Sequence, residues 1–362
     1  MSVAATGPSD VAALRRTLLG WYRRNHRDLP WRRTRDPYAI WLSEAMLQQT
    51  RVETVIPYWE RFLTRFPSVR ELAEAPADEV MQLWAGLGYY SRARNLHRAA
   101  KQIASEYGGE LPADPEGLRA LPGVGRYTAG AVASIAFNLP EPVLDGNVIR
   151  VLTRLHGIRD DVGQARVRER LWAEAARLVR GPRPGDFNQA LMELGATLCT
   201  PKAPGCSRCP LQRRCRARRG GAPEELPHKQ PRARPRKLAA VAALLERKGR
   251  VLAVRRPPEG LLGGLWELPG GTLQPGEAPE AGLTRALREG VGLEPEDTAP
   301  RGWVKHVFTH RVLRLHVFRA TAPPGRVRRS GFDAHRWLGR RGLEALPLST
   351  LARKAVARAF EA

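Results

Sequence analysis

The sequence predicts a multidomain protein, with an all-α first part and a smaller α+β second part. Three observations carry that prediction. Apolar residues recur at three- and four-residue spacing through residues 11–200, short β-like runs replace them after residue 238, and an Arg-, Lys- and Pro-rich stretch lies between. At 362 residues the chain is too long for one ordinary core, and 43% hydrophobic content is enough for two.

Val11, Leu14, Leu18 and Trp21 share one helical face. Asp36-Pro37 reads as an N-cap with proline at the first helical position, opening a helix through about Thr50. Further helical runs cover Val52 to Phe66, Tyr90 to Tyr107 closing at Gly108-Gly109, and residues 147–156 and 164–180. Leu121-Pro122-Gly123-Val124-Gly125 forms a turn before a helix from Arg126 to about Phe137. Residues 216–237 read as an extended basic linker. Leu238 to Leu245, Val251 to Val254 and Val312 to Phe318 read as strands, with helices at Pro279 to Glu289 and from Ser349. The expected domains are therefore 1–215 and 238–362.

The formal net charge is +24, which implies a polyanionic partner, because Lys and Arg that neutralise phosphates release counterions on binding. No apolar run is long enough to cross a bilayer, so a membrane partner is not expected. The first ten residues lack the pattern of a secretory signal, so a reducing cytoplasmic setting is expected, nucleoid-associated if prokaryotic. Cysteines in such a compartment are ligands or catalysts more often than disulfides. All four lie between Cys199 and Cys215, with Cys206 and Cys209 inside, separated by gaps of six, two and five residues. Two close pairs would suit structural zinc, and only one close pair exists. Four thiolates at uneven gaps suit a 4Fe–4S cluster.

Two carboxylates stand out. Glu44 lies in Trp41-Leu42-Ser43-Glu44-Ala45-Met46-Leu47-Gln48-Gln49-Thr50, where it is either a solvated surface residue or an acid whose proton is held by apolar surroundings. Asp145, in Leu144-Asp145-Gly146-Asn147-Val148, is either a helix N-cap or a charge stabiliser. The Gly123-Val124-Gly125 turn is either a bare connection or a phosphate-approaching hairpin at a helix start.

The cysteine spacing resembles the cluster loop of the endonuclease III and MutY superfamily of helix-hairpin-helix DNA glycosylases, and Ser43 to Thr50 resembles the MutY motif SE-x-MLQQT. The resemblance covers the whole first half. It implies one 4Fe–4S cluster on Cys199, Cys206, Cys209 and Cys215, with no catalytic metal. It makes Gly123 and Gly125 the hairpin, Glu44 the acid that protonates adenine, Asp145 the group beside the sugar and Asn147 a second polar group there. Arg27, Trp31 and Glu193 would line the extruded-base pocket, Leu47 and Gln48 would face DNA, and Gln49 and Tyr89 would wedge into the stack. The lysine that forms a Schiff base in the endonuclease III branch is Tyr127 here, which implies base removal without strand cleavage.

Gly271-x5-Glu277-x7-Arg285 has the spacing of a Nudix box, but Ala286 and Gly290 stand where acids are needed, with only Glu289 kept. The second part thus resembles a Nudix, MutT-like fold without its hydrolysis. Phe308-Thr309-His310 resembles the family's lesion-reading Phe-Ser-His loop. The expected substrate is adenine opposite 8-oxoguanine or guanine in double-stranded DNA, handled by a monomer. An oxidised-pyrimidine glycosylase/lyase and a non-catalytic lesion binder are the alternatives. Tyr127 argues against the first, and Glu44 with Asp145 against the second.

Overall fold

Caps and apolar spacing place the helices. The structure is a computed structural model that describes residues 8–230, 235–308, 310–328 and 330–361. In chain order the helices are α1 (Pro8–Asn25), α2 (Pro37–Leu47), α3 (Val52–Arg65), α4 (Val69–Glu74), α5 (Ala77–Trp84), α6 (Ser91–Glu106), α7 (Pro115–Ala120) and α8 (Arg126–Ile135). They continue with α9 (Gly146–His156), α10 (Ala165–Val179), α11 (Pro184–Thr197), α12 (Arg216–Arg219), α13 (Pro279–Val291), α14 (Arg340–Glu344) and α15 (Thr350–Phe360). Two units result, Met1–Ala73 with Arg98–Pro231, and Glu74–His97 with Arg232–Ala362. The division is not collinear with the sequence, since residues 74–97 group with the C-terminal part.

In the first unit α2 is buried on all sides from Tyr38 to Met46, which makes it a central element and not an amphipathic one. The Asp36 carboxylate accepts from the Tyr38 and Ala39 N–H groups, with Pro37 behind it, so the expected cap is present. The helix ends at Leu47, three residues earlier than the sequence suggested, because Gln48 leaves helical geometry and Gln49 takes a φ of 61°. Trp59 on α3 fastens to α2 by donating from Nε1 to the Ala39 carbonyl at 2.9 Å. Helix α11 packs on α1, α8 and α9. Its Gly195 has to be a glycine, because a Cβ there would stand 2.6 Å from Asn147 Cβ.

Residues 216–237 are not simply extended. They contain α12 and a 3-10 turn at Pro223–Glu225, and Leu226 is buried in the first unit, its carbonyl accepting from Arg154 Nε at 2.9 Å. Few apolar positions were enough, because Ala217 and Leu226 are buried and the His228 carbonyl accepts from the Val162 N–H at 3.1 Å.

Among the described residues the second unit holds a seven-stranded sheet: β1 (Arg236–Arg247), β2 (Arg250–Arg255), β3 (Trp266–Glu267), β4 (Gly270–Thr272), β5 (Glu296–Phe308), β6 (Arg311–Thr321) and β7 (Ala334–Leu338). Strand β1 runs parallel to β6 and antiparallel to β2 and β4, while β5 closes the edge beside β6. Alternation divides β1. Val241, Ala243 and Leu245 pack with Leu283, Leu287 and Val291 of α13, and Ala242 and Leu244 pack with Ala352 and Val356 of α15. Strand β5 was not legible. It is an edge strand, mostly exposed, interrupted by Pro300 and Gly302 where the register slips.

The Nudix-like box is rebuilt as a structural clasp. Arg285 donates to both Glu277 oxygens at 2.7 and 2.8 Å and to Glu289 at 3.0 Å. Ala286 is buried in the core with α13, and a Cβ on Gly271 would lie 2.9 Å from its Cβ.

Candidate active site

A cavity of about 790 Å3 opens in the first unit, and the sequence-predicted residues Arg27, Trp31, Glu44, Leu47, Gln48, Gln49, Tyr127, Asp145, Asn147 and Glu193 all line it. Helix α2 supplies Glu44 from its inaccessible middle, and the helix after the glycine turn supplies Tyr127. Gly123 takes a φ of 79°, as the turn requires, whereas Gly125 is extended and only caps α8. Neither glycine lines the cavity.

Glu44 is 6% exposed. Its Oε2 accepts from the Tyr127 hydroxyl at 2.8 Å, and that hydroxyl also lies 3.3 Å from Met192 Sδ. Burial pushes the Glu44 carboxyl up to about 7; the Tyr127 hydrogen bond opposes this and the nearby Asp145 charge reinforces it. Burial likewise drives the Tyr127 phenol well above its ordinary value, so it stays a neutral donor.

Asp145 caps α9, its Oδ1 accepting from Val148 N–H at 2.7 Å and its Oδ2 from Asn147 Nδ2 at 2.8 Å. Burial raises its carboxyl, against the lowering effect of those hydrogen bonds and of Arg150. The N-cap and functional readings of Asp145 are therefore compatible: capping fixes the side chain at the cavity wall. Arg150, which sequence reasoning missed, holds Asn147 Oδ1 at 2.7 Å and the carbonyls of Gly195 and Cys199 at 2.7 and 2.6 Å.

Glu193 has no exposed side-chain surface. Arg27 donates to it from Nε, from its second guanidinium nitrogen and from its backbone N–H at 2.9, 2.9 and 3.0 Å. Arg32, also missed, adds a bond at 2.7 Å. Burial works to raise the carboxyl, but these donors hold it at about 2. Two carboxylate oxygens with four hydrogen bonds leave little to offer a ligand. Glu193 is better placed to hold Arg27 and Arg32 than to read a base itself. A cavity with one protonatable acid, one capped aspartate and a fixed guanidinium pair can donate a proton at one end and stabilise positive charge at the other.

Cys199, Cys206, Cys209 and Cys215 are free and partly buried. Burial and the neighbouring thiols raise Cys206, and burial carries Cys209 up to about 11. Buried Arg154 braces the loop: it donates to Cys199 Sγ at 3.4 Å and to the Thr200 and Pro201 carbonyls, and its own carbonyl accepts from Cys215 Sγ at 3.3 Å. Among the described residues no set of three or more His, Cys, Asp or Glu stands ready to hold a metal ion. The donor chemistry, four mutually influencing thiols in one loop, nonetheless fits a thiolate-bound iron centre.

In the second unit Tyr89, Phe308 and His310 line a separate cavity of about 340 Å3. Tyr89 has a φ of 47° and is 43% exposed. Thr309 lies outside the described residues.

The hairpin, the carboxylate-lined cavity and the cysteine loop together define a helix-hairpin-helix base-excision DNA glycosylase. Residues 42–177 match the HhH-GPD superfamily base excision DNA repair proteins, and residues 240–358 match the NUDIX domain. The adenine DNA glycosylase of Mus musculus is 42% identical over 88% of this chain and 74% of its own length. That of Homo sapiens is 39% identical over 96% and 74%, and that of Schizosaccharomyces pombe 32% identical over 97% and 90%. Among solved structures, a thermostable thymine-DNA glycosylase is 30% identical with a TM-score of 0.52, covering 58% of this chain and 97% of that one. Endonuclease III in a non-covalent DNA complex is 25% identical with a TM-score of 0.50, covering 60% and 99%. The chain belongs to the adenine DNA glycosylase family, and its activity is the removal of adenine in base excision repair.

Proposed function

We propose that the chain excises adenine paired with 8-oxoguanine or guanine by hydrolysing the N-glycosidic bond, without cutting the strand. The observation that carries this reading is Glu44, buried, bonded by Tyr127 and poised at about 7 in a cavity that Asp145 shares. Glu44 donates its proton to the departing adenine, whose anion is otherwise a poor leaving group. Asp145 stabilises the oxocarbenium character that grows on the sugar, and Asn147 keeps it aimed. Tyr127, in place of a lysine amine, offers no Schiff-base chemistry.

Cys199, Cys206, Cys209 and Cys215 would hold one 4Fe–4S cluster. Bound there, such a cluster supplies a crosslink that fixes the loop, while Arg154 and Arg150 brace it from α9. The cavity of Tyr89, Phe308 and His310 supports reading of the base opposite adenine by the second unit. Ala286 in the core, and Glu277 and Glu289 held by Arg285, support a fold that has given up diphosphate hydrolysis.

The test uses duplexes carrying A:8-oxoguanine, thymine glycol opposite A, and no damage, scored for strand breaks before and after hot alkali. Breaks appearing only after alkali, and only in the first duplex, are expected, with little covalent product on borohydride trapping. Breaks before alkali, or efficient trapping, would overturn the monofunctional reading.

A further inference from the structure

Single exposed apolar side chains are ordinary on a protein surface, whereas a cluster of large ones marks a binding face. Among the described residues the large exposed ones are Tyr89, Leu261, Trp303 and Val307. Tyr89, Leu261 and Val307 all line the cavity of about 340 Å3 in the second unit. Leu261 is 49% exposed, belongs to neither face of the sheet's core, and has no part in the excision chemistry.

The backbone that presents Leu261 is strained and braced. Leu262 takes a φ of 58°, a left-handed conformation that leucine rarely adopts and that persists where the surroundings enforce it. Gly263 admits no side chain, since a Cβ would stand 2.3 Å from the Pro258 carbonyl oxygen. The Gly264 N–H closes the loop by donating to the Arg256 and Pro257 carbonyls, at 3.1 Å each. Arg94, in the first turn of α6, ties the loop down. Its guanidinium donates to the Gly263 carbonyl at 2.7 Å and to the Gly260 carbonyl at 3.4 Å, which bracket Leu261 and Leu262. The helix that follows Tyr89 therefore also sets the position of Leu261.

A leucine at the tip of so fixed a loop suits a partner with flat apolar surface. Arg94, Arg311, His306 and His310 line the same cavity, and among the described residues no acidic side chain does, so the partner is also an anion. Duplex DNA offers both, phosphates outside and base faces at an opened step, and apolar side chains are used as wedges there.

We propose that Leu261 is an apolar wedge that packs against the stack on the strand carrying the base opposite adenine, and that Arg94 positions it. The proposal rests on the reading that the second unit contacts that base through Phe308 and His310.

The test measures binding of the full chain to a duplex with 8-oxoguanine opposite 2′-fluoro-adenosine, which resists excision. A 2-aminopurine beside the 8-oxoguanine reports unstacking by its fluorescence. Leu261→Ala is expected to weaken binding about 5-fold, the scale of returning a half-exposed leucine surface to water, and to reduce the fluorescence rise. Leu261→Met should restore both, with the unfolding midpoint unchanged in each variant. Arg94→Met should weaken binding similarly, and the double variant with Leu261→Ala should lose no more than Leu261→Ala alone. Unchanged affinity and fluorescence in Leu261→Ala, while Phe308→Ala loses its preference for 8-oxoguanine over guanine, would overturn the wedge alone. If Phe308→Ala keeps that preference as well, the reading beneath the proposal falls with it. Additive losses in the double variant would overturn the positioning role of Arg94.

Discussion

Glu44 and Glu193 line the same cavity, both are all but inaccessible to solvent, and their carboxyls are displaced in opposite directions. On the α2 wall, Glu44 meets a neutral phenol and is pushed up to about 7. On the α11 wall, Glu193 meets two guanidiniums and is held at about 2. Burial works the same way on both. The partners decide the outcome, because a hydrogen bond from an uncharged donor offsets desolvation far less than paired cations do. One glutamate is thereby kept protonatable, and the other is fixed as a permanent anion that orders arginines.

The larger effect is expected at Glu44. Glu44→Gln keeps an acceptor for Tyr127 but removes the acid, so single-turnover adenine release should fall by at least about 10^3-fold, within the range for a lost general acid. The unfolding midpoint should hold, and a loss under tenfold would remove Glu44 from the acid role. Next comes the other wall. Arg32→Met leaves Glu193 buried with only Arg27, and truncating one partner of a buried ion pair costs about 3 kcal/mol or more. Urea unfolding followed through the tryptophans should show it. A cost near zero would mean that Arg27 alone suffices.

Changing pH sharpens the same contrast. Glu44 must be protonated to act, so excision should fall about tenfold per pH unit above about 7. The two carboxyls also have opposite linkage to stability. Glu44 is raised, so its contribution is complete below about 4.5 and is lost as pH rises through about 7. Glu193 is depressed, so its contribution is present above about 4.5 and is lost as pH falls through about 2. Stability measured across pH for Glu44→Gln and Glu193→Gln should flatten the alkaline side in one and the acid side in the other. Identical profiles would deny the contrast.

What could be foreseen follows the same physics. Asp36-Pro37, Asp145 before α9 and the cysteine run are local signals, each carried by a few adjacent residues, and the structure places them as caps and as one loop. Glu44 was legible because a carboxylate inside an apolar run is rare. Arg32, Arg150 and Arg154 were not. In a chain with 60 Lys and Arg, one more arginine is no signal, and their partners Glu193, Cys199 and Thr200 are remote in sequence. The sequence pointed to Glu193 as a base contact, while the arginines that saturate it could be seen only after folding. Strand β5 escaped for a different reason, since an exposed edge needs little apolar alternation.

The smallest effect is the most discriminating, and it lies in the bond between Tyr127 and Glu44. The phenol stabilises the charged carboxylate, so it restrains the upward push of burial. Tyr127→Phe removes that restraint without adding charge. The Glu44 carboxyl should then move higher, and the alkaline limb of the excision profile should shift to higher pH. Below the limb the acid is already protonated in both proteins, so the rate there should change only a few-fold, about the worth of one neutral hydrogen bond in positioning the acid. A limb moving to lower pH would mean that Tyr127 bonds the protonated form instead. An unmoved limb with a large rate loss would place Tyr127 on the substrate and not on Glu44.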